Sequence, residues 1–392
     1  MIVYNPNDPA LRADPYPTYQ RLREEAPLYH HESAPHYWAL SRHRDVESAW
    51  RDFELYSSDH GAVIEQWGPD ARNTMSFLAM DPPEHSRIRA LIARGFTPAR
   101  VERLRPRIAE LTRGYLEPGL DKEAFDFVAD FASMIPVDVI SELIGVPEAD
   151  RPLLQRLSEA IMEREDIDGR LTERLRDAIT QLAGYYHELV EERRRRPRED
   201  LATALLEAEI DGDRLDHGDV VSTLMLLGTA GNETTIKLLG IAWRLAWQYP
   251  DQRERAFADV DAWVEESLRF EGPSQYTARR VTRDVRLYDE TVPADSMMLL
   301  LMGAANRDER VFPDAARFQI GRDTSETLAF GVGRHFCVGA ALARLEARVV
   351  LREVAAMVRP DYEVHLEHAE LARSTSVRGY TRLPTTITPR AR

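Results

Sequence analysis

The chain has 392 residues, a formal net charge of −15 and a single cysteine. The negative charge argues against nucleic acid as a partner, and a lone cysteine excludes an internal disulfide and any multi-cysteine metal site. Residues 1–30 are polar and interrupted by proline, and no apolar run of about 20 residues occurs, so we expect no targeting sequence, no membrane span and a cytoplasmic location.

The pattern of apolar residues predicts a mainly helical fold with small β-sheets. No linker, composition shift or internal repeat divides the chain, so we expect residues 1–392 to form one domain. Amphipathic periodicity predicts helices at residues 98–116, 135–144, 150–163, 170–195, 200–208, 216–249, 251–270 and 338–358. Short strands are predicted at residues 36–41, 284–288 and 296–301, with a few more after residue 360.

Two basic side chains follow a pair of prolines early in the chain. Residues 81–89 read DPPEHSRIR, and proline favours the first turn of a helix. His85 and Arg89 are four residues apart on this predicted helix and therefore point the same way. On the residues alone, a solvated helix face is the ordinary interpretation.

The longest predicted helix, residues 216–249, is apolar except near its middle. Asp216 is expected to be its N-cap and Pro250 its stop. Residues 230–235 read AGNETT, which is costly in a buried helix because glycine loses entropy and a buried carboxylate needs a partner. The residues alone allow two interpretations, a helix kink with a satisfied polar side chain or a polar functional site.

Two further segments carry paired charges. Glu266 and Arg269 lie three residues apart on the predicted helix 251–270, hence on one face and able to pair. Surface helices contain such pairs routinely, so this spacing alone indicates little. Residues 277–284 read TARRVTRD, in which either of the adjacent Arg279 and Arg280 could point inward.

The single cysteine, Cys337, lies in a glycine-rich loop before a helix. Residues 330–339 read FGVGRHFCVG, and glycines suit backbone that must approach something flat and bulky. Free N–H groups and the positive end of the macrodipole at the start of the predicted helix 338–358 favour a thiolate. The residue alone is compatible with a buried inert thiol, a reactive nucleophile or a single thiolate ligand to a metal.

The spaced pattern F-x-x-G-x-H-x-C-x-G at residues 330–339 resembles the cysteine-ligand loop of the cytochrome P450 haem-thiolate monooxygenases. Five specified residues should arise by chance on the order of once in 10⁵ such chains, given ordinary residue usage. The helix 216–249 is similar to the distal helix of that family, which carries A-G-x-(D/E)-T. All these segments occur in family order, and the resemblance covers essentially the whole chain. It implies a fold that holds haem between the long distal helix and the cysteine loop.

The resemblance implies a cofactor and roles for site residues. The cofactor is haem b (iron protoporphyrin IX), with Cys337 as the axial iron ligand, whose thiolate favours O–O cleavage. Thr234 would donate a hydrogen bond to oxygen bound at the haem, and Glu233 would belong to the proton-delivery route. Ala230 and Gly231 would leave room for dioxygen. The residues implied to anchor the haem propionates are His85, Arg89, Arg279 and His335.

The same resemblance implies roles for surrounding residues. The family's R-x-x-T-x-D register favours Arg279 over Arg280. Glu266, Arg269 and Arg317 would form a buried structural network. Lys237, one turn beyond Thr234, is less usual in the family and is expected near the cofactor or a partner helix. The segments expected to line the substrate pocket are Gly61–Met80, residues 160–185, Leu226–Ala230, Pro273–Thr277 and Ser374–Val377, including Trp67, Met75, Phe77, Leu226 and Tyr276.

The function implied by the resemblance is that of a soluble, monomeric, bacterial-type monooxygenase that hydroxylates or epoxidises a mostly apolar small molecule. One alternative is a peroxide-driven peroxygenase, against which the Glu233–Thr234 pair argues, because peroxide brings its own protons. The other alternative is a non-catalytic haem-binding or gas-sensing protein, for which we would expect an appended output domain.

The resemblance also implies a separate electron donor. The chain has no second cysteine for an iron–sulfur cluster and no dinucleotide-binding pattern, so we expect a ferredoxin, reduced by a ferredoxin reductase. It would dock on the cysteine-ligand side, where arginines would attract an acidic partner. The arginines expected near this face are Arg100, Arg103, Arg105, Arg107, Arg334 and Arg344.

Overall fold

A computed structural model describes residues 2–120, 122, 124–162, 173–210 and 212–390. Helices dominate it. The α-helices in the described residues are α1 (Pro9–Ala13), α2 (Tyr16–Glu25), α3 (His43–Arg51), α4 (Arg72–Met75), α5 (Glu84–Ala93), α6 (Pro98–Arg103), α7 (Arg105–Leu120), α8 (Met134–Ile144), α9 (Arg151–Met162), α10 (Glu173–Arg195), α11 (Leu201–Glu207), α12 (His217–Gln248), α13 (Pro250–Ala258), α14 (Val260–Glu271), α15 (Met302–Ala305) and α16 (Ala340–Met357).

The strands are short and form small sheets beside the helices. They are β1 (Leu28–His31), β2 (Tyr37–Leu40), β3 (Tyr56–Ser57), β4 (Phe125–Asp126), β5 (Glu209–Ile210), β6 (Asp213–Arg214), β7 (Thr277–Val281), β8 (Val285–Leu287), β9 (Glu290–Val292), β10 (Met297–Leu300), β11 (Glu363–Val364), β12 (Glu370–Leu371), β13 (Tyr380–Arg382) and β14 (Pro384–Thr386). The largest sheet has five strands in the order β1-β2-β10-β7-β3, and β10 pairs antiparallel with β7, which carries Arg279.

Most predicted helices match the structure within a few residues, but two of them are each divided into two helices. The predicted helix 98–116 breaks between α6 and α7 at Leu104, because Pro106 lacks the N–H that would continue the first helix. The predicted helix 251–270 breaks at Asp259, whose side chain accepts a 3.0 Å hydrogen bond from the N–H of Ala262 and starts α14. Residues 163 and 170–172 of two predicted helices lie outside the described residues.

The long helix α12 runs through the core. Asp216 is its N-cap, as predicted, and its carboxylate accepts a 2.7 Å hydrogen bond from the N–H of Asp219. The second half of α12 is buried, and Trp243 stacks between the rings of Phe127 and Tyr362 at centroid distances of 4.6 and 3.6 Å. Packing around the second half of α12 therefore fixes the position of the helix. Within the described ranges, no helix combines the length and the apolar character that crossing a membrane requires.

Glu266 on α14 is the centre of a buried ionic network. Arg269 donates two hydrogen bonds of 2.7 and 2.8 Å to its carboxylate. The second guanidinium belongs to Arg322, whose Nε lies 3.5 Å from Glu266 Oε1 and whose side chain is 8% exposed. The prediction that Arg317 completes this network is wrong, because the Arg317 side chain is 66% exposed.

The path of the chain explains why Arg322 takes this place. Asp314 and Gly321 both have a positive φ, of 53° and 84°, so the chain turns sharply on either side of Arg317. The Arg317 side chain points outward, toward Asp251 at 3.7 Å. Arg322 points inward and donates a 3.1 Å hydrogen bond to the carbonyl of Asp314.

The buried network around Glu266 is expected to contribute to the stability of the fold. Arg269→Met is expected to lower the free energy of unfolding by about 3–5 kcal/mol, because it removes the main partner of a buried carboxylate. Arg317→Met is the matched control, and it should change that free energy by less than about 0.5 kcal/mol because its side chain is exposed. Urea unfolding followed by circular dichroism measures both. Equal losses in the two variants would contradict this description of the network.

Candidate active site

A cavity of about 400 Å³ lies between the middle of α12 and the loop that precedes α16. Ala230, Gly231 and Thr234 line it from α12, and Cys337 and Val338 line it from the loop. Its volume is within the range of small-molecule and cofactor sites. The polar segment 230–235 of α12 and the cysteine loop 330–339 thus line the same cavity, although they are about 100 residues apart in the sequence.

The loop before α16 is held by its own backbone and by a tryptophan. The N–H of Cys337 donates a 2.9 Å hydrogen bond to the carbonyl of Phe330. Gly331 has a φ of +66°, and a Cβ there would lie 2.8 Å from the ring of Trp50. Glycine is therefore required at this position for packing within the protein, as well as for any approach to a flat ligand.

Opposing effects act on the pKa of the Cys337 thiol. The surrounding protein raises this pKa by desolvation, while the N–H groups of Gly339 and Ala340 and the guanidinium groups of Arg89 and Arg344 lower it. The N–H groups at the helix N-terminus thus act in the predicted direction, and without a bound cation desolvation is the larger effect. A metal cation bound in the cavity would reverse this balance.

Four basic side chains form a cluster at the edge of the cavity, in which His85, Arg279 and His335 are buried and Arg89 is half-buried. Arg89, Arg279 and His335 line the cavity, and the His85 ring lies 3.9 Å from the His335 ring. Neither ring nitrogen of His85 has a hydrogen-bond partner among the described residues, and Nε2 of His335 lies 3.1 Å from the uncharged hydroxyl of Ser58. None of the four pairs with a carboxylate of the described residues. This cluster lacks an anion.

The pKa values reflect the missing negative charge. Burial, reinforced by Arg89, Arg279 and other neighbouring positive charges, lowers the pKa of His85 to about 4 and that of His335 to about 2. Burial also lowers the pKa of Arg279 to about 10. A ligand with two acidic groups would stabilise the charged forms of these side chains.

Adjacent arginines on β7 point in opposite directions. Arg279 is buried beside the cavity and lies over the Trp50 ring, 4.7 Å from its centroid. Arg280 instead forms ion pairs of 2.6 Å with Asp59 and 2.8 Å with Asp295. Alternation along a strand thus directs Arg279, the residue favoured by the sequence pattern, toward the cavity.

The polar residues in the middle of α12 bond mostly to their own helix. Thr234 Oγ1 donates a 2.9 Å hydrogen bond to the carbonyl of Ala230, and Thr235 Oγ1 donates a 3.2 Å bond to Gly231. Both threonines line the cavity. Bonds of this type relax easily, so the Thr234 hydroxyl can turn toward a ligand.

Glu233 forms a buried ion pair with Lys237. Their charged atoms lie 3.1 Å apart, and the two side chains are 9% and 5% exposed. Glu233 is not among the residues that line the cavity. Lys237 packs closely on Gly379, where a Cβ would lie 2.4 Å from that of Lys237. Lys237 therefore pairs with Glu233 and packs on the C-terminal segment, and it is not among the residues that line the cavity.

The cavity lining agrees largely with the predicted pocket segments. Met75, Phe77, Leu226 and Tyr276 all line it. Trp67 does not: it lies 5.6 Å from the His60 ring and packs against the N-terminal core. Residues 163–172 of the predicted segment 160–185 lie outside the described residues.

One acidic residue of the cavity, Glu346 on α16, was not predicted from the sequence. Burial raises the pKa of its carboxyl to about 8, and its Oε2 has no hydrogen-bond partner among the described residues. Leu342, Ala343 and Glu346 line the cavity together, at a spacing that places them on one helix face. The position of Glu346 on the same face as Leu342 and Ala343, in the helix that follows Cys337, is the sequence signal that could have identified it.

The arginines expected at a partner face differ in their pairing. Arg105 pairs with Glu102, Arg107 with Glu110 and Glu142, and Arg344 with Glu265. Arg334 lies over the Phe53 ring, 4.8 Å from its centroid. Arg100 and Arg103 on α6 are exposed and form no ion pair with another described residue. Of the six, they therefore have the charges most available to a partner.

The residues at the cavity fit an iron porphyrin, the group that the family resemblance implies. Among the described residues, no group of three or more His, Cys, Asp or Glu side chains could hold a metal ion. An iron ion at Cys337 would have to bring its other ligands with it, as a porphyrin does. The unpaired cluster of His85, Arg89, Arg279 and His335 matches the two acid groups of such a cofactor.

Comparison with known proteins agrees with this geometry. The family model for cytochrome P450 matches residues 257–356. The chain is 45% identical to putative cytochrome P450 123 of Mycobacterium tuberculosis, over 99% of this chain and 98% of that one. It is 38% identical to vitamin D(3) 25-hydroxylase of Pseudonocardia autotrophica, over 96% and 95% of the two chains. The solved structure of cytochrome P450 CYP109Q5 from Chondromyces apiculatus matches it with a TM-score of 0.90 at 34% identity, over 100% of both chains. This match confirms the predicted mainly helical fold with small sheets.

Proposed function

Because this chain belongs to the bacterial type of the cytochrome P450 superfamily, we propose that it is a haem-thiolate monooxygenase that hydroxylates or epoxidises a mostly apolar small molecule. Family membership makes it an oxidoreductase. One observation carries the proposal: the thiol of Cys337 and the hydroxyl of Thr234 line the same cavity, beside a basic cluster that lacks an anion.

Each site residue has a proposed role. Haem b would supply the iron at which dioxygen is activated. Cys337 would bind it as a thiolate, and the basic cluster would bind its propionates. Thr234 would hold and pass a proton at Oγ1, and Glu233 would replace that proton. Apolar side chains such as Met75 and Leu226 would orient the substrate and exclude water.

Two measurements test the proposed function. The reduced protein under carbon monoxide should have the strongly red-shifted Soret band of a thiolate–haem complex. Compounds found in a library screen by the spin-state change should then be oxidised with O2, ferredoxin and ferredoxin reductase. Oxidation by peroxide alone would indicate a peroxygenase, and binding without any oxidation would indicate a sensor.

The neighbouring arginines of β7 provide a matched pair of variants. Arg279→Gln is expected to increase the rate of haem loss to apomyoglobin by about tenfold or more, because a charge-assisted bond to a buried acid group is worth roughly 1.5–3 kcal/mol. Arg280→Gln removes the same charge one residue away, and its rate should stay within twofold of the wild type. Equal rates in both variants would remove Arg279 from the cofactor site.

We further propose that an acidic ferredoxin docks near α6, which packs against α16, the helix that follows Cys337. Arg344 is a poor choice for testing this, since its charge is already paired with Glu265. Arg100→Glu/Arg103→Glu should slow reduction by ferredoxin by about tenfold at low ionic strength, and the effect should shrink as salt increases.

The matched control for the docking prediction reverses two exposed arginines elsewhere. Arg283 and Arg286 lie at the hairpin of β8 and β9 and form no ion pair with another described residue. Reversing both should leave the stopped-flow reduction rate within twofold of the wild type. A similar loss of rate in both double variants would show an effect of net charge and contradict the docking site.

A further inference from the structure

Among the described residues, one carboxylate stands among the apolar side chains that line the substrate side of the cavity, that of Glu65. Glu65 lies in the short helical turn Ile64–Gln66 and is half-buried. The side chains that share this lining are mostly apolar, among them Met75, Leu78 and Ile140. A charged group among apolar side chains loses solvation free energy, so it needs hydrogen bonds or an opposite charge as compensation.

Hydrogen bonds hold the Glu65 side chain in place. Its Oε1 accepts a short hydrogen bond from Thr375 Oγ1, which in turn lies 2.8 Å from the hydroxyl of Tyr276. Since the single proton of Thr375 is given to Glu65, Tyr276 must donate to Thr375. Burial, reinforced by the charge of Glu65, raises the pKa of Tyr276 well above 10, so this donor stays protonated. Tyr276 thus donates to Thr375 and Thr375 donates to Glu65, whose carboxylate can only accept further hydrogen bonds.

The charge of Glu65 has no counterpart in the described part of the protein. No Lys, Arg or His of the described residues forms an ion pair with it. The basic side chains that line the cavity, Arg89, Arg279 and His335, belong to the cluster that fits the cofactor. A fixed carboxylate of this kind favours a ligand that brings a positive charge and an N–H donor.

We propose that the natural substrate is a mostly apolar molecule that carries a basic amine, and that Glu65 binds its ammonium group. The inference rests on the proposed function, because it concerns the substrate side of the same cavity. Glu65 then acts as a specificity-determining residue: it attracts amines, does not favour neutral molecules of the same shape and repels carboxylic acids.

Matched probe molecules test this proposal on the haem-loaded protein. Phenylalkyl chains of three lengths would each carry a dimethylamine, a trimethylammonium, a tert-butyl or a carboxylate head. The trimethylammonium head keeps the charge but has no lone pair for iron, so its binding cannot be coordination to haem. Calorimetry and the spin-state change measure Kd for each. For at least one of the three chain lengths, Kd of each cationic head should be at least tenfold lower than Kd of the tert-butyl head, which corresponds to about 1.4 kcal/mol.

Two variants assign this preference to a residue. Glu65→Gln keeps the size of the side chain and should abolish the preference, while Kd for the tert-butyl head stays within twofold. Glu32→Gln removes the same charge from an exposed loop outside the cavity and should preserve the preference. A preference that survives in Glu65→Gln, equal binding of cationic and neutral heads, or no binding of any cationic probe would overturn the inference. A protein that lacks the thiolate–haem band contradicts the proposed function instead, so the two failures are distinguishable.

Discussion

Cys337→His is expected to lose the red-shifted Soret band of the reduced carbon monoxide complex while it retains part of its haem. Imidazole can still bind iron, and the basic cluster of His85, Arg89, Arg279 and His335 is unchanged, so the contacts proposed for the cofactor propionates would remain. The thiolate that favours O–O cleavage is lost. Oxygenation should fall by at least ~10³-fold, which corresponds to about 4 kcal/mol in the barrier.

Phe336→Ala is the control for this substitution. Phe336 is adjacent to Cys337 and is 40% exposed, so its removal disturbs the same loop without touching the sulfur. The band should remain in this variant, even if some haem is lost. Absorption spectra measure the red-shifted Soret band, and the pyridine haemochrome assay measures the haem content separately. A shifted band that persists in Cys337→His would show that another group is the ligand.

The two walls of the cavity were predictable from the sequence because each departs from a local rule. Glycine and polar residues interrupt the apolar helix around Thr234, and glycines surround the single cysteine. Residues that cost local stability tend to mark functional sites. The inward direction of Arg279 was implied by the family's R-x-x-T-x-D register, whereas alternation along a strand separates Arg279 from Arg280 without telling which of them points inward.

Contacts that depend on the tertiary path of the chain were less predictable. The spacing of three residues on a helix identifies the Glu266–Arg269 pair. Sequence spacing does not show that Arg322, and not Arg317, joins this pair, because that depends on irregular turns at Asp314 and Gly321. Glu65 illustrates the same limit. Its segment was expected at the pocket, yet its hydrogen-bond partner Thr375 is 310 residues away in sequence.

Thr234→Ala is expected to bind haem and substrate as the wild type does, but to send most of its reducing equivalents into hydrogen peroxide or water. Under the proposed function the Thr234 hydroxyl would hold a proton at the cavity, so product per electron should fall by at least ~10-fold, as for other general acid–base groups. Thr235→Ala is the matched control, because Thr235 also lines the cavity and makes the same kind of bond to its own helix. Product per electron should change little in that variant. An unchanged yield in Thr234→Ala would exclude Thr234 from proton transfer.

Glu233 needs a different design, because its carboxylate is tied to Lys237 in a buried ion pair. Glu233→Gln should slow turnover by ~10²-fold if this carboxyl supplies protons to Thr234. The same change leaves the Lys237 ammonium buried without its partner, which destabilises the protein and also slows turnover. Glu233→Gln/Lys237→Met removes both charges at similar volume, so stability should return toward that of the wild type while turnover stays slow. If turnover recovers together with stability, Glu233 has a structural role and the proton reaches Thr234 by another route.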